Sequence, residues 1–511
     1  MKTLVIAEKP SVARDIARVL GCAKKENGAL EGNQYIVTWA LGHLVTLKDP
    51  EDYDKKYKEW NMAVLPMMPE KLQIKVIPQT GKQYHAVTTQ LARKDVGEVV
   101  IATDAGREGE LVARWILDKA HNQKPCKRLW ISSVTDKAIR EGFASLKDAK
   151  EYDNLYRAAV SRAEADWLVG INATRALTCK YNAQLSCGRV QTPTLAMIAQ
   201  REQEIREFVP KPYYTVTAAA GGAVYTWKDE KSGGTRISDP EKAKQIAEKA
   251  KRYPLVLQKV EKKKKQKEAP LLYDLTELQR DASARFGYSA KQTLNLMQSL
   301  YETHKVLTYP RTDSRYLTKD IVPTLKERLD AVSIGPYKTL AQQAKRRPLK
   351  EKPGFVNDAK VSDHHAIIPT EQYVQLSALS NEERRIYDLV VRRFLAVLLP
   401  PCVYEETVIQ ASIEKECFTA RGKRMVEKGW QEAYEDNRYD DEDEAKEEVR
   451  EQNLPLLQAG MKFDQSKISL REGKTKPPAR FTEGTLLSAM ENPVRYMENR
   501  DSSLVLSLIH I

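Results

Sequence analysis

Short apolar runs alternate with helix-like segments in the N-terminal part of the chain. Residues 2–7 (KTLVIA) and 98–103 (EVVIAT) are continuous apolar stretches with the length of buried strands. Ser11 can cap a helix that continues through Leu20, and apolar side chains recur at helical spacing between about 107 and 120. This alternation predicts an α/β domain with a mostly parallel sheet, in which ligands bind beyond the carboxyl ends of the strands.

Helical patterning continues beyond this region and then gives way to strands. Residues 151–206 predict helices that are interrupted at 186–193, and strand-like segments begin at 213. The lysine-rich run 259–268 is expected to be a solvated edge or a linker, and the acidic stretch 435–448 a mobile surface loop.

A second helical region lies in the middle of the chain, and strands follow it. Residues 274–300 contain two candidate capping boxes, which begin at Thr276 and Ser289. Another amphipathic helix is predicted at 380–399, and strand-like segments return at 403–420.

Length and composition narrow the class of protein. A chain of 511 residues is too long for one core and is expected to form roughly two to four domains. The formal net charge of +13 favours a polyanionic partner, with DNA or RNA first, although an ordinary basic enzyme would carry the same charge. The six cysteines form no C-x-x-C pair, which argues against a zinc site, and their scattered positions in a long chain suggest a reducing cytoplasm. The sequence shows neither a secretory signal nor the roughly 18 apolar residues of a membrane span.

Acidic residues follow both N-terminal strands. Glu8 and Lys9 follow the first strand, and Asp104, Glu108 and Glu110 follow the second. Carboxylates gathered beyond neighbouring strand ends can hold Mg²⁺, which prefers oxygen ligands and offsets charge when a phosphodiester is displaced. The alternative interpretation is a helix N-terminus that carries acids because of the macrodipole.

The segment 307–316 (LTYPRTDSRY) places Tyr309 in front of a proline, which biases the tyrosine to an extended backbone. A tyrosine oxygen can attack phosphorus, and phenol, with a pKa of about 10, is a good enough leaving group for the bond to be reversed. Covalent capture of this kind splits strand cleavage and resealing into two reversible halves. Arg311 can bind the phosphate. The alternative is a packed tyrosine next to a surface charge.

Two further segments carry candidate residues. In SDHHAIIPT (362–370), His364 or His365 can bond a scissile phosphate, although adjacent histidines are more often structural. In SCGRVQTPTL (186–195), polar side chains near a glycine turn suit contacts with a DNA backbone, and a plain helix–turn–helix corner is the alternative.

A nucleotide-driven motor is disfavoured. The only G-K-T sequence is at 473–475, and the glycine that a P-loop needs five residues earlier is Ile468. Reversible phosphotyrosine chemistry would not need ATP.

In this order, these segments resemble the signatures of type IA DNA topoisomerases. AEKPS (7–11) and ATDAGREGE (102–110) are similar to the acidic motifs of that family's Toprim domain. GRVQTPTL, LTYPRTDS and HHAIIPT resemble its later motifs, and PARFTEGTLLSAMENP (478–493) resembles its return segment. The first motif and the tyrosine segment look most similar to the bacterial topoisomerase III branch, and the resemblance covers about 1–500.

The resemblance implies a fold of several domains. We expect a multidomain α/β plus α+β protein, in which a Toprim α/β domain joins a toroidal type IA core and a lid carries the tyrosine. The implied domains are Toprim domain I at 1–150, with about 43–78 partly contributing to domain IV; helical domain IV at 151–212, completed in part by 485–511; β-rich arch domain II at 213–272 and 400–484; and domain III at 273–399.

The resemblance also implies roles for individual residues. Tyr309 would take the 5′ phosphate, Glu8 would be the general acid or base at the leaving 3′ oxygen, and Lys9 would hold the phosphate. The remaining implied residues are Arg311 and His364 at the phosphate; Glu8, Asp104 and Glu108 as Mg²⁺ ligands; and Ser186, Gly188, Arg189, Val190, Gln191, Thr192 and Arg162 as DNA contacts.

The expected substrate is single-stranded or underwound DNA, bound mainly through its phosphates. Aromatic side chains such as Trp167 are candidates for stacking on bases. A RecQ-type helicase is the partner that the resemblance suggests. We expect a monomer in the cytoplasm, associated with the nucleoid.

Two features depart from the family pattern. The family often reads Asp-x-Asp-x-Glu, and here Gly106 stands at the middle acid, so metal binding is expected to be weaker or to depend on Glu8 and Glu110. The C-terminal sequence DSSLVLSLIHI does not resemble the family's continuation, which predicts a truncated or chimeric chain whose activity is in question.

Two other functions fit part of the pattern. A Toprim nuclease or primase-like enzyme would use only the acids and would produce free DNA ends or primers. A catalytically incomplete single-strand-binding clamp would bind DNA equally well after Tyr309→Phe.

Overall fold

The computed structural model describes residues 1–348, 354–361, 363–434 and 451–496. The acidic stretch predicted as a mobile loop and the C-terminal apolar sequence lie outside the described residues.

A seven-stranded sheet forms the centre of the N-terminal region, by which we mean residues 1–152. Its strand order is β2-β3-β4-β1-β7-β8-β9, and β5 and β6 form a separate two-stranded antiparallel sheet. The central pairs β4-β1, β1-β7 and β7-β8 are parallel, so the predicted parallel sheet is confirmed at its centre. The strands are β1 (Lys2–Ala7), β2 (Lys24–Glu26), β3 (Ala29–Glu31), β4 (Tyr35–Trp39), β5 (Val45–Leu47), β6 (Ile74–Val76), β7 (Val96–Ala102), β8 (Cys126–Arg128) and β9 (Lys147–Asp148).

Helices cover both faces of this sheet, because the apolar side chains of β1 alternate between two cores. Leu4 and Ile6 pack on one face, and Val5 and Ala7 pack on the other. The helices are α1 (Pro10–Val19), α2 (Gly81–Leu91), α3 (Arg107–Lys119) and α4 (Asp136–Ala144). The predicted cap at Ser11 is wrong: α1 begins at Pro10, whose fixed φ suits the first helical position, and Ser11 lies inside the first turn.

Two long helices follow, as predicted, with an irregular segment between them. They are α5 (Asp153–Tyr181) and α6 (Gln191–Arg206), and α5 ends where Asn182 takes a left-handed backbone. Trp167 packs against the core of the N-terminal region, and its indole N–H donates to the Lys48 carbonyl at 2.9 Å. Because its ring contacts this core, Trp167 is not placed as a stacking platform for DNA bases.

A second sheet joins two distant parts of the chain. Its path is β16-β12-β13-β14-β11-β10-β17, and β15 pairs with β14. One helix, α7 (Pro240–Arg252), packs on it. The strands are β10 (Pro212–Ala220), β11 (Ala223–Trp227), β12 (Leu255–Lys267), β13 (Cys402–Ile413), β14 (Glu416–Glu427), β15 (Glu451–Gln452), β16 (Lys462–Phe463) and β17 (Lys467–Lys474).

The lysine-rich run is a solvated edge and not a linker. It continues β12, whose lysine-rich part pairs with β13 and, among the described strands, leaves its other side open. Lys263 and Lys264 lie opposite Glu406 and Glu405 of β13, so cross-strand acids compensate part of the charge.

The tyrosine region, by which we mean residues 269–400, is mainly helical with its own core. Its helices are α8 (Leu275–Phe286), α9 (Ala290–Glu302), α10 (Leu325–Ala331), α11 (Lys338–Lys345) and α12 (Asn381–Leu398). Ser289 caps α9 as predicted, but α8 is capped by Asp274, and Thr276 is buried in its first turn. A last helix, α13 (Glu483–Glu491), packs on α8.

Candidate active site

The acidic patch lies at the carboxyl ends of β1 and β7. These neighbouring parallel strands are in register at Ala7 and Ala102, so the loops that follow them meet at one edge of the sheet. The Glu8 carboxylate accepts a hydrogen bond from the Asp104 backbone N–H at 3.2 Å. Gly109 lets the second loop fold back tightly, because a Cβ there would come within 1.9 Å of the Asp104 carbonyl oxygen.

Tyr309 reaches this patch from the tyrosine region. Its hydroxyl donates to Asp104 Oδ2 at 3.3 Å, and its backbone N–H donates to the Ser132 carbonyl at 2.9 Å. The ring stacks on His364, with centroids 4.3 Å apart, and meets Tyr301 edge to face. The fold therefore brings Tyr309 into contact with the acidic patch, although the two are far apart in the sequence.

Burial and neighbouring charges shift the pKa values of Glu8 and Tyr309 in the acidic patch. Burial, reinforced by repulsion from Asp104, raises the pKa of Glu8 to about 7, while Lys9 acts in the opposite direction. Burial, with Asp104 and Glu8 nearby, also raises the pKa of Tyr309 above its usual value, and Arg311 opposes this shift. The phenol is therefore protonated in this state, and Asp104 is in place to accept its proton.

Lys9 is the cation of the patch. Its ammonium lies 2.6 Å from Glu302 Oε1 and 3.7 Å from Asp104 Oδ2. Burial by itself would lower the pKa of Lys9, but Asp104 and Glu302 together raise it. Glu302 was not anticipated from the sequence, because it lies at the end of an ordinary amphipathic helix, with no motif around it.

The two histidines differ in their surroundings. Both ring nitrogens of His364 are buried without a hydrogen-bond partner of normal geometry among the described residues. The His365 ring instead bonds the Ala366 carbonyl at 2.7 Å and Ser132 Oγ at 3.2 Å. Burial lowers the pKa of His364 to about 3 and that of His365 to about 4, so both are neutral at neutral pH. Of these two rings, that of His364 faces Tyr309, and it also has a polar contact with the Ala105 backbone.

The structure does not gather the predicted set of metal ligands. Within the described part of the chain, no three acidic, histidine or cysteine side chains are arranged to hold an ion. Glu108 is turned to His43 at 2.6 Å and Arg162 at 2.9 Å, and these contacts lower its pKa. Glu8 and Asp104 do face each other.

Glu110 is not an alternative ligand. It is fully buried and bonds Arg128 at 2.5 Å and Arg114 at 3.2 Å. The suggestion that metal binding depends on Glu110 is therefore wrong, because both its oxygens are engaged by guanidinium groups beneath the site.

The Glu8–Asp104 pair is compatible with a divalent cation. Two carboxylates whose repulsion raises a pKa would be relieved by a positive ion, and Mg²⁺ commonly binds through one or two carboxylates with water and phosphate oxygens. The residues present therefore fit such an ion in part, with Glu108 available only if it leaves His43 and Arg162.

The candidate DNA-contacting residues lie at the junction of α5 and α6. Arg189 forms a bidentate pair with Asp166 at 2.6 and 3.0 Å, and Gln191 donates to Ser186 Oγ at 3.0 Å. Thr192 Oγ1 accepts from the Gly188 N–H at 3.1 Å, and Val190 is the N-cap of α6. Arg162 lies apart from this junction, next to Glu108 at the acidic patch.

No helix among the described residues has the length and apolar character to cross a membrane.

Family models match nearly all of the chain. A model described as DNA topoisomerase matches residues 150–493, and a Toprim domain model matches residues 3–134.

Close relatives cover the chain almost completely. A protein named DNA topoisomerase 3 from Bacillus subtilis (strain 168) is 58% identical over 507 residues, which are 99% of this chain and 69% of that protein. A protein of the same name from a strain of Bacillus cereus is 59% identical over 504 residues, with 98% and 69% covered.

A solved structure shares the fold. Full-length topoisomerase I from Thermotoga maritima superposes with a TM-score of 0.70 at 23% identity, over 96% of this chain and 75% of that one.

Proposed function

This chain belongs to the type IA DNA topoisomerases, and on that premise we propose that Tyr309 is the residue that becomes linked to DNA. Enzymes of this family break one DNA strand, pass another strand through the break and reseal it without ATP. The observation that carries the assignment is the 3.3 Å hydrogen bond from the Tyr309 hydroxyl to Asp104 at the acidic patch.

In the cleavage step, the Tyr309 oxygen attacks the phosphorus of a backbone phosphodiester. A bond forms between phosphorus and the phenolic oxygen, and the bond to the 3′ oxygen breaks. The phenolic proton passes to Asp104, its nearest acceptor. Burial raises the pKa of Glu8 to about 7 in the protein without a metal ion, and we propose that this carboxyl group supplies a proton to the leaving 3′ oxygen. Resealing is the same step in reverse.

Three further side chains are proposed to act on the phosphate. Lys9 is half-buried beside the patch and can exchange its Glu302 contact for a phosphate oxygen. Arg311 is exposed, and its charge reaches both Tyr309 and Glu108. His364 is neutral, and a ring N–H that has no hydrogen bond of normal geometry among the described residues can donate to the phosphate.

The Toprim domain is typical of proteins that bind a divalent metal, and we propose Mg²⁺ at Glu8 and Asp104, with Glu108 joining when DNA displaces its present contacts. When bound, such an ion supplies positive charge that offsets the phosphate oxygens.

DNA is proposed to follow a path from the acidic patch along α5 to the α5–α6 junction. Arg162 marks the start of this path, and Arg189, with the polar residues of 186–192, marks its far part. In this proposal, the pairs Arg162–Glu108 and Arg189–Asp166 open so that the guanidinium groups can bind phosphates. The substrate would be single-stranded or underwound DNA.

The proposed domain division follows the expectation from the sequence. Domain I is 1–150, and 43–78 contributes partly to domain IV, as the contacts of Asn172 with Met67 and of Arg175 with Tyr57 suggest. Domain II combines 213–272 with 400–484, and domain III is 273–399. We further propose a monomer that acts in the cytoplasm at the nucleoid, with a RecQ-type helicase as partner.

The test is capture of the covalent complex. The protein is incubated with a single-stranded oligonucleotide and Mg²⁺, quenched with denaturant, and separated by electrophoresis to detect DNA bound to protein. We expect an adduct with the wild type, none with Tyr309→Phe, and a normal amount with the matched control Tyr316→Phe, which lies in the same segment.

Other outcomes would point elsewhere. Free DNA ends without an adduct would indicate a Toprim nuclease. Salt-sensitive binding without cleavage, equal in the wild type and Tyr309→Phe, would indicate a binding clamp. An adduct with Tyr309→Phe would contradict the assignment of the nucleophile.

A further inference from the structure

The N-terminus of α3 lacks a cap from its own chain segment. The first four N–H groups of a helix have no partner within the helix, and a serine, aspartate or asparagine at the preceding position usually satisfies one. That position is Gly106, which has no side chain to offer. Its backbone is extended, with φ of 168°, so the conformation itself does not require glycine.

A carboxylate from the tyrosine region lies at this helix end. Asp363 accepts a hydrogen bond from the backbone N–H of Arg107, the first residue of α3. A Cβ built on Gly106 would lie 3.8 Å from Asp363 Oδ2, with no other described heavy atom outside its chain neighbours within 4 Å. Asp363 therefore points at the space that the side chain of a capping residue would use.

The backbone around Asp363 ties this contact to the nucleophile. Its carbonyl accepts from the Trp130 indole at 3.3 Å, and the next residue, His364, stacks on Tyr309. Farther along, Ile368 and Thr308 are joined backbone to backbone, so the two segments of the tyrosine region form one unit. Movement of Tyr309 away from the acidic patch would carry Asp363 away from α3.

We infer that Asp363 caps α3 from across the interface, so that the acid loop (residues 104–108) is held in its cleaving geometry only while the tyrosine region is closed on the N-terminal region. Asp363 is a positioning residue in this account, because it acts through the loop and not on DNA. The inference rests on the proposed function, since the geometry that it protects is that of Asp104 opposite Tyr309.

The experiment replaces the cap and then restores it from position 106. The variants are Asp363→Ala, Asp363→Asn and the double variant Asp363→Ala/Gly106→Ser, with Asp358→Asn as control for an exposed carboxylate in the same segment. Asparagine and serine can both cap a helix, but neither brings a carboxylate to a metal ion. The single-turnover rate of adduct formation on a single-stranded oligonucleotide is measured for each.

We expect Asp363→Ala to form the adduct about tenfold more slowly, which is the size of effect that a lost cap gives. Asp363→Asn and the double variant should be within about threefold of the wild type, and Asp358→Asn unchanged. Binding of the oligonucleotide should be the same in all variants. Independently of activity, amide hydrogen exchange at 107–110 in the free protein should be faster in Asp363→Ala and normal again in the double variant.

Two results would overturn the inference. In the first, Asp363→Ala forms the adduct and exchanges its amide hydrogens at the wild-type rates. In the second, Asp363→Asn forms the adduct as slowly as Asp363→Ala, and Gly106→Ser does not restore the rate in the double variant. Failure of the proposed function looks different, because the wild type itself would give no adduct while the exchange measurement would still report on the cap.

Discussion

His364 and His365 are adjacent in sequence, but their side chains make different contacts in the structure. His365 is held by two hydrogen bonds, whereas the ring of His364 stacks on Tyr309 and has no hydrogen bond of normal geometry among the described residues. Both are neutral because burial lowers the pKa of each. An interior that accepts these rings only in the neutral form must become less stable when they are protonated.

Lowering the pH should therefore destabilise the tyrosine region. The folded pKa values of about 3 and 4 lie below the usual 6.5, so the stabilisation is complete above pH 6.5 and is lost as the pH falls from there towards 4. At pH 5 the cost is about 2 kcal/mol for each histidine. Urea unfolding at pH 7.5 and pH 5 should show a smaller loss for His364→Gln than for the wild type, and an equal loss would contradict the burial of this ring as a neutral group.

At the scale of elements, α3 is fixed to the sheet by charge as well as by apolar packing. Leu111, Val112 and Ile116 pack on the strands, and beside them Glu110 binds Arg128 of β8 with both groups fully buried. Arg128 also donates to the carbonyls of Thr103 and Asp104, so the same guanidinium supports the acid loop.

Removing one partner of this buried pair should cost much more than removing both. Glu110→Ala would leave an unpaired buried guanidinium and should lower the free energy of unfolding by about 3–5 kcal/mol. The combination Glu110→Leu/Arg128→Met replaces both charges by apolar groups of similar size. It should restore most of the lost free energy of unfolding, as measured by chemical denaturation. A double variant no more stable than Glu110→Ala would show that Arg128 supports the loop chiefly through its carbonyl contacts.

The sequence allowed the acidic patch to be predicted, because Glu8 and Asp104 follow two apolar strands, and parallel strands end at the same edge of a sheet. Tyr309 could be identified only from its motif, since its approach depends on how a distant region docks. The orientation of Glu108 could not be predicted, because its partners His43 and Arg162 come from separate loops and helices. The capping contact of Asp363 could not be predicted either, because nothing in the sequence SDHHAIIPT indicates that it contacts a helix end in a distant part of the chain.

At the scale of the whole molecule, the tyrosine region is closed over the N-terminal region. Polar contacts join the two regions around the active site, and strand passage requires that they separate. Besides the contacts of Tyr309 and Asp363 described above, they include Lys9–Glu302 at 2.6 Å, Asp15–Lys305 at 2.5 Å, Ser132–His365 at 3.2 Å, Thr135–Glu371 at 2.5 Å and Lys137–Glu327 at 2.5 Å. The Lys137–Glu327 pair is about half exposed, and exposed ion pairs each contribute less than about 1 kcal/mol, so this part of the interface can open at small cost.

A reversible bridge across this interface should separate cleavage from strand passage. Lys137 and Glu327 are both about half exposed, so the cysteines of Lys137→Cys/Glu327→Cys can be joined by a short bis-methanethiosulfonate, which forms a disulfide with each thiol, releases methanesulfinate and is removed by reduction. The bridged protein should still form the covalent adduct but should not relax supercoiled DNA until the bridge is reduced. Wild-type protein treated with the same reagent is the control for its own cysteines, and relaxation by the fully bridged protein would show that the gate lies elsewhere.

The proposed chemistry requires that the phenolic oxygen of Tyr309 is the protein atom that becomes linked to the DNA. The quenched covalent complex can be digested with protease and nuclease, and the peptide that retains a nucleotide can be sequenced by mass spectrometry. The account predicts a single nucleotide-bearing peptide from LTYPRTDSRY, with the 5′ phosphate on Tyr309. A nucleotide on any other residue, or one attached through its 3′ phosphate, would contradict it.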